Sequence, residues 1–263
     1  MKEALRRAIA IRDGINRKTG YFDTNITDGV NHLLTDDRRV FTPQLQIIPN
    51  QDDCEVSFGR REDYIDEYYE YIESSGTQYI QLDYYMTPGS RVVADIQFLE
   101  TIRQSRIIAT QYNNSNYSTY EFYINGSGYW ATGHKNGDGD WTASSVVADT
   151  NRHIFDYWAN HYYKIDNGTV LDGTFTNTTT HNSYYPIRIF LQSPAQSGSY
   201  AYSKGRIFGY EIYDDNEIKV RDCKPCHDSL TNSYGLFDPL TRMFYPNAGS
   251  GSFTPGPIIS GGN

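Results

Sequence analysis

The stretch Arg91-Val-Val-Ala-Asp-Ile-Gln-Phe98 decides the fold class of this sequence. Apolar side chains stand at every second position from Val92 to Phe98, and Asp95 and Gln97 stand between them. A β-strand points successive side chains to opposite faces of its sheet, so this pattern predicts a strand with one buried and one solvated face.

The same signals recur outward from this stretch. Between Arg206 and Tyr213, alternation predicts that Phe208, Tyr210 and Ile212 point inward and that Glu211 points outward. Asp166-Asn-Gly168 predicts a two-residue hairpin turn between strands at 162–165 and 169–171. A second turn is predicted at Asp214-Asp-Asn216. Short strands and turns at this spacing predict a mostly β, antiparallel two-sheet sandwich over residues 62–257, with a flexible tail at 258–263.

Composition and charge argue against several classes of protein, among them nucleic-acid-binding and membrane proteins. The 263 residues include 24 tyrosines, which favour sheets, and the formal charge is −9 at pH 7. Binding to nucleic acid needs clustered cations that neutralise phosphates, so we expect no nucleic-acid partner. No run approaches the roughly 18 apolar residues that span a bilayer, and the charged N-terminus is unlike a signal peptide. We therefore expect neither membrane insertion nor secretion.

The first 35 residues have helical rather than strand periodicity. Two amphipathic helices are predicted, and neither could bury its apolar stripe alone in water. This predicts an attachment and oligomerisation segment, followed by a linker at 36–61 with one short strand at Leu45 to Ile48. The apolar residues expected to make its contacts are Leu5, Ile9, Ile26, Val30, Leu33 and Leu34.

The sequence offers little for catalysis. Glycoside hydrolysis by a sandwich needs two carboxylates facing one cleft, and the nearest candidate, Glu211 to Glu217, runs into a turn. There is no Gly-x-Ser-x-Gly nucleophile elbow between a strand and a helix. Cys223 and Cys226 have the spacing of half a zinc site, but free thiols are the simpler interpretation. We expect a protein that is not an enzyme.

One loop has oxygen ligands at the spacing of a calcium site. Asn136, Asp138 and Asp140 alternate with glycines that permit a tight backbone, although the downstream glutamate of an EF-hand is missing. The pattern is compatible either with calcium or with a polar hairpin turn, and no other cofactor is indicated.

A ligand-binding surface is the functional feature that the sequence favours. Sugars are held by aromatic rings together with amide and hydroxyl groups in loops. Residues 112–120 have this character, and Trp158 and His161 are further candidates. The predicted binding residues are Tyr112, Asn114, Asn116, Tyr117, Trp130 and Trp141.

Six short stretches of sequence between Tyr68 and Pro257 match, in their order and spacing, the pattern of a known group of modules. The β region resembles the laminin-G-like, concanavalin-A-like sandwich modules of bacteriophage tail proteins and some bacterial surface proteins. It departs from their pattern at Cys223, where those modules have an apolar residue. The runs are Tyr71-Ile-Glu-Ser-Ser-Gly-Thr-Gln-Tyr-Ile80, Arg91 to Phe98, Ala148-Asp-Thr-Asn-Arg-His153, Ser203-Lys-Gly-Arg-Ile-Phe208 with Glu211-Ile-Tyr213, Tyr234-Gly-Leu-Phe-Asp238, and Phe244 to Phe253.

The N-terminus resembles the two-helix element that opens many phage tail and fibre proteins, through Ile11 to Gly20 and Ile26-Thr-Asp-Gly-Val30. The two resemblances imply a virion protein, a tail, fibre or head-fibre component made in the bacterial host cytoplasm. They imply other virion proteins as partners, a homo-oligomer with a trimer favoured, and binding to host-surface or mucosal glycans. Two alternatives remain: a decoration module without a ligand, and a carbohydrate-binding module of a bacterial surface.

Overall fold

A computed structural model describes residues 45–49, 54–58, 61–101, 105–110, 118–136, 141–166, 168, 179–191 and 202–261. The chain divides into two units, Met1–Tyr64 and Ile65–Asn263. In the first unit, β1 (Leu45–Pro49) pairs antiparallel with β2 (Cys54–Phe58), and a 3₁₀ turn follows at Arg61–Tyr64. The strand predicted at Leu45 to Ile48 is thereby confirmed. The predicted helices and their six contact residues lie outside the described residues.

The second unit is built from strands. They are β3 (Ile65–Tyr69), β4 (Ile72–Ser75), β5 (Ile80–Gln81), β6 (Arg91–Phe98), β7 (Arg106–Ala109), β8 (Ser118–Ile124), β9 (Tyr129–Asn136), β10 (Trp141–Val147), β11 (Arg152–Trp158), β12 (Tyr162–Ile165), β13 (Arg188–Ile189), β14 (Lys204–Tyr213), β15 (Lys219–Asp228), β16 (Ser233–Asp238), β17 (Met243–Pro246), β18 (Thr254–Pro255) and β19 (Ile258–Gly261).

These strands form two antiparallel sheets. The smaller sheet has the order β10-β9-β8-β7-β13-β5. The larger sheet follows the path β12-β11-β6-β14-β15-β16-β17. In addition, β4 pairs with β14 and β18 pairs with β4, while β3 pairs with β15 and β19 pairs with β3. Strands distant in sequence therefore lie side by side, as β6 does between β11 and β14.

The core lies between the two sheets and is aromatic. Phe122 of the smaller sheet packs edge-on against Phe155 of the larger sheet, with ring centroids 5.2 Å apart. Trp130 contacts the same Phe155 ring at 4.8 Å. The apolar face of β6, predicted by alternation, is buried against this layer. The prediction of a mostly β, antiparallel two-sheet sandwich is confirmed. The concanavalin-A-like, jelly-roll subtype remains what the resemblance implies.

Two local predictions differ from the structure, and a third is tested only in part. A bulge in β14 between Ile207 and Gly209 leaves Phe208 partly exposed, with the Arg152 guanidinium 3.7 Å above its ring, whereas alternation predicted an inward side chain. The tail predicted at 258–263 contains β19, which pairs with β3. The strand predicted at 162–165 is β12, and the chain turns after it as predicted, with Asp166 at a φ of 54° and Gly168 N–H donating to Ile165 O at 2.9 Å. The partner strand predicted at 169–171 lies outside the described residues.

The two described cysteine side chains are buried in different clusters. Cys223 belongs to the main core between the sheets, and Cys226 packs with Ile65, Phe237 and Phe244. Burial raises the pKa of the Cys223 thiol well above its usual value. Cys223 therefore packs in the core as a small apolar residue. Among the described residues, no helix is long and apolar enough to cross a membrane.

Candidate functional site

Four loops meet at one end of the sandwich, beside the start of β6 and the end of β11. Ala159 N–H donates to Ser90 O at 2.9 Å, and Ser183 N–H donates to Met86 O at 2.8 Å. Thr87 Oγ1 donates to the Asp215 carboxylate. These bonds fix the loops relative to one another. The surface that they form is called the loop edge below and comprises residues 83–90, 158–162, 179–186 and 214–217.

An aromatic stack lies in the middle of the loop edge. The rings of Trp158 and His161 are 4.1 Å apart between centroids and inclined by 27°. Trp158 is partly exposed, and its indole N–H donates to Gly89 O at 3.1 Å, which orients the ring. The Tyr162 ring meets Trp158 edge-on at 5.7 Å. His161 is exposed, so the stack is open to solvent.

Asn160 holds this stack in place. Its φ of 62° lies in the left-handed region, which asparagine tolerates better than most residues and which lets β11 return directly as β12. Its side-chain amide donates to Pro88 O at 3.1 Å and to Thr179 O at 2.9 Å, and its oxygen accepts from Thr179 N–H at 2.7 Å. The turn between Trp158 and His161 is therefore preorganised by two neighbouring loops.

The rest of the loop edge is polar and aromatic. Tyr85 is 46% exposed and Tyr184 is 40% exposed. Thr180, His181 and Asn182 are also exposed on the same loops. Rings with hydroxyl, amide and imidazole groups around them are the combination that holds sugars in protein sites.

The cations nearest the stack are engaged by one carboxylate. Arg91 binds Asp156 with two hydrogen bonds of 2.8 Å, and Lys164 Nζ lies 3.3 Å from the same carboxylate. The hydrogen bonds to Asp156 raise the pKa of Arg91. Tyr162 also donates to Asp156, at 3.3 Å. Asp156 thus offsets one of these two positive charges and braces the β11–β12 hairpin.

The structure places the predicted binding residues in several different regions. Trp130 is 1% exposed and packs within the core, so its ring cannot stack on a ligand and its assignment as a binding residue is corrected. Tyr120, from the loop expected to bind, lies in β8 and is fully buried, with its hydroxyl donating to His181 O at 2.7 Å. Trp158 and His161 are brought together.

The remaining predictions concern residues of which little is described. Trp141 begins β10 and Asn136 ends β9, and only their backbones are described. Tyr112, Asn114, Asn116, Tyr117, Asp138 and Asp140 lie outside the described residues. Calcium binding at Asn136 to Asp140 therefore stays a prediction. Within the described part of the chain, no group of three or more His, Cys, Asp or Glu side chains is arranged to hold a metal ion.

Glu211, the nearest candidate for a catalytic carboxylate, is held by hydrogen bonds to neighbouring side chains. It accepts hydrogen bonds from Tyr213 Oη at 2.6 Å and from Lys219 Nζ at 2.7 Å on the solvent face of the larger sheet. Asp222, opposite Glu211 on β15, lies 3.9 Å from the same lysine. The carboxylate therefore takes part in a cross-strand charge network.

A histidine is held between two aspartates at the other end of β11. His153 Nδ1 lies 2.6 Å from Asp166, and Nε2 lies 2.8 Å from Asp149. Burial lowers the pKa of His153, but the hydrogen bonds to Asp166 and Asp149 outweigh it, so the pKa is raised overall. Both ring nitrogens are engaged, so His153 links the loop before β11 to the turn after β12 and has no nitrogen left to act as a base.

This arrangement predicts a pH dependence of stability. Because the pKa of His153 is raised on folding, its contribution is fully present below the unfolded value of about 6.5 and is lost as pH rises through the folded value. His153→Gln should lower the free energy of unfolding by about 1 kcal/mol at pH 5.5, since the aspartates are half-exposed, and by less at pH 9. Urea unfolding at both pH values measures this. His181→Gln is the control, and an equal loss at both pH values would contradict the charged link.

Comparisons with known proteins add a structural likeness. No protein family model and no curated protein matches this sequence. Among solved structures, the native heptameric SAP-like pentraxin from Limulus polyphemus is similar, with 11% sequence identity over 58% of this chain and 78% of that chain and a TM-score of 0.41. The fold assignment rests on the strand pairing and core described above, and nothing about function is taken from this likeness.

Proposed function

We propose that this chain is a glycan-binding β-sandwich without enzymatic activity, and that the loop edge is its binding surface. The observation that carries the proposal is the Trp158–His161 stack, which is partly exposed, held rigid by Asn160 and surrounded by hydroxyl and amide groups. Because the Trp158 ring is already held in place, it loses little conformational entropy when a ligand binds, which favours a ligand-binding role.

The biological setting that we propose is a bacteriophage virion. It is supported by the resemblance of the β region and of residues 11–30 to phage tail and fibre proteins. In this setting the N-terminal segment attaches the chain to other virion proteins as a homo-oligomer, with a trimer favoured, and the sandwich faces host-surface or mucosal glycans. Mass spectrometry of purified particles tests it, and absence of the chain from virions of a phage that encodes it would reject it.

Trp158→Ala is expected to weaken glycan binding by at least about tenfold, because a buried aromatic contact at the centre of a binding surface is worth about 2 kcal/mol or more. His161→Ala should weaken binding less, since it removes only the ring that supports Trp158. Binding of the full chain to arrayed bacterial-envelope and mucin glycans, followed by calorimetry on the best ligand, measures both effects.

Tyr71→Ala is the matched control. Tyr71 is a partly exposed ring on the solvent face of the larger sheet, with Arg206 4.5 Å above it and outside the loop edge. Thermal unfolding of each variant establishes that it is folded. If Trp158→Ala and His161→Ala both bind as tightly as the unaltered chain, the loop edge is not the binding surface.

A further inference from the structure

The hairpin turn between β14 and β15 adds a block of negative charge to the loop edge. Asp214, Asp215 and Glu217 all lie in this turn, and Asp215 and Glu217 are exposed. Glu217 adopts a φ of 58°, and its N–H donates to Asp214 O at 3.0 Å, which closes the turn tightly. The three carboxylates are thereby confined to four consecutive residues.

This turn lies directly beside the aromatic stack. The Asp215 carboxylate packs against Gly89, where an added Cβ would come within 2.8 Å of Asp215 Cγ. The carbonyl of the same Gly89 accepts the hydrogen bond from the Trp158 indole at 3.1 Å. Trp158 and Asp215 therefore both contact the same glycine.

No cation among the described residues forms an ion pair with the carboxylates of this turn. The cations that follow it, Lys219 and Arg221, pair with Glu211 at 2.7 Å and with Asp83 at 3.0 Å. Arg91 and Lys164, on the other side of Trp158, are engaged by Asp156. The Asp214 carboxylate accepts the N–H groups of Asn216 and Ile218, which lower its pKa, so it is ionised at neutral pH.

We infer that the loop edge selects uncharged glycans and rejects glycans that bear carboxylate or sulfate groups, with Asp215 and Glu217 as the specificity-determining residues. The inference rests on the proposed glycan-binding function. A carboxylate accepts hydrogen bonds from sugar hydroxyls, so it favours a neutral ring stacked on Trp158. It repels an anionic substituent at the same distance, and placing like charges together is an effective way to exclude a wrong ligand.

The experiment uses pairs of polysaccharides that share a backbone: dextran, mannan and galactan, each with its sulfated derivative. Binding of the full chain is measured by biolayer interferometry at low and high ionic strength. We expect at least one neutral member to bind, and its sulfated partner to bind at least about tenfold more weakly at low salt. The difference should shrink at high salt, because ions screen exposed charges.

The double variant Asp215→Asn/Glu217→Gln should reduce this discrimination to about threefold or less, while Asp214, which closes the turn, stays unchanged. Glu70→Gln/Glu100→Gln removes two carboxylates from outside the loop edge and should keep the full discrimination. A sulfated member that binds as tightly as its neutral partner, or unchanged discrimination in Asp215→Asn/Glu217→Gln, overturns the selectivity but leaves glycan binding standing. Failure of every neutral and sulfated member to bind overturns both.

Discussion

Phe122→Ala is expected to lower the free energy of unfolding by about 3–5 kcal/mol, which is a large part of the stability of an ordinary domain. Phe122 is fully buried, and its ring contacts Phe155, Tyr157 and Tyr163 of the larger sheet as well as Trp130 of its own. Truncation removes the transfer free energy of the ring and leaves a cavity between two sheets that cannot close independently. Urea unfolding followed by tryptophan fluorescence measures the loss.

The control for this prediction is Ile218→Ala in the turn between β14 and β15. Ile218 is 60% exposed, so the same kind of truncation should change the free energy of unfolding by no more than about 0.5 kcal/mol. A loss below about 1.5 kcal/mol for Phe122→Ala would mean that the sheets repack around the site, and that the aromatic layer is less constrained than its contacts indicate.

The fold was predictable because alternation is a local signal. In β6 each apolar residue has a polar or half-exposed neighbour, and the burial of the strand follows that pattern at every position. Phe208 shows the limit of the same reasoning. The bulge in β14 inserts one residue against β6 and turns Phe208 outward, and bulges depend on pairing with a partner strand that the local sequence does not specify.

The loop edge was less predictable, because strand register decides which tryptophan is exposed. Trp130 pairs with Ile124 and faces the core, whereas Trp158 pairs with Arg91 and faces outward. A usable signal was present in β11, since Trp158 is out of phase with Phe155 and Tyr157, which point inward. Around Trp130 the sequence Tyr-Trp-Ala-Thr has no such contrast. Asp215 and Trp158 both contact Gly89 because loops that are distant in sequence come together, and the local sequence does not indicate this.

A buried charge pair in the smaller sheet was also missed, for a different reason. Alternation in β8 would place Glu121 on a solvated face, yet Glu121 is fully buried and Arg106, on β7, is 1% exposed. Their nearest atoms are 3.5 Å apart, and the Arg106 guanidinium lies 4.1 Å above the Tyr123 ring. Burial raises the pKa of Glu121 to about 7, although the charge of Arg106 opposes the shift. Both faces of β8 are buried, and alternation predicts only one.

Removing the carboxylate of this pair is the second substitution that we expect to cause a large loss of stability. Glu121→Ala should lower the free energy of unfolding by about 3–5 kcal/mol, because it leaves the charge of Arg106 buried without its carboxylate. The measurement is urea unfolding at pH 8, where the Glu121 carboxyl is mostly ionised, so the comparison is between Arg106 with and without this negative charge. Glu121→Gln, which keeps the shape and removes the charge, should lose less than Glu121→Ala because the amide still fills the space and can accept a hydrogen bond.

The decisive variant is Arg106→Met/Glu121→Leu, which replaces both charges with apolar side chains of similar size. If the cost of Glu121→Ala comes from a stranded charge, the double variant should recover most of the loss, since the attraction within a buried pair often does little more than repay its desolvation. A double variant as unstable as Glu121→Ala would instead show that the guanidinium itself is needed, through its position over Tyr123. That outcome would shift the origin of the effect from charge compensation to the packing of Arg106 on the sheet.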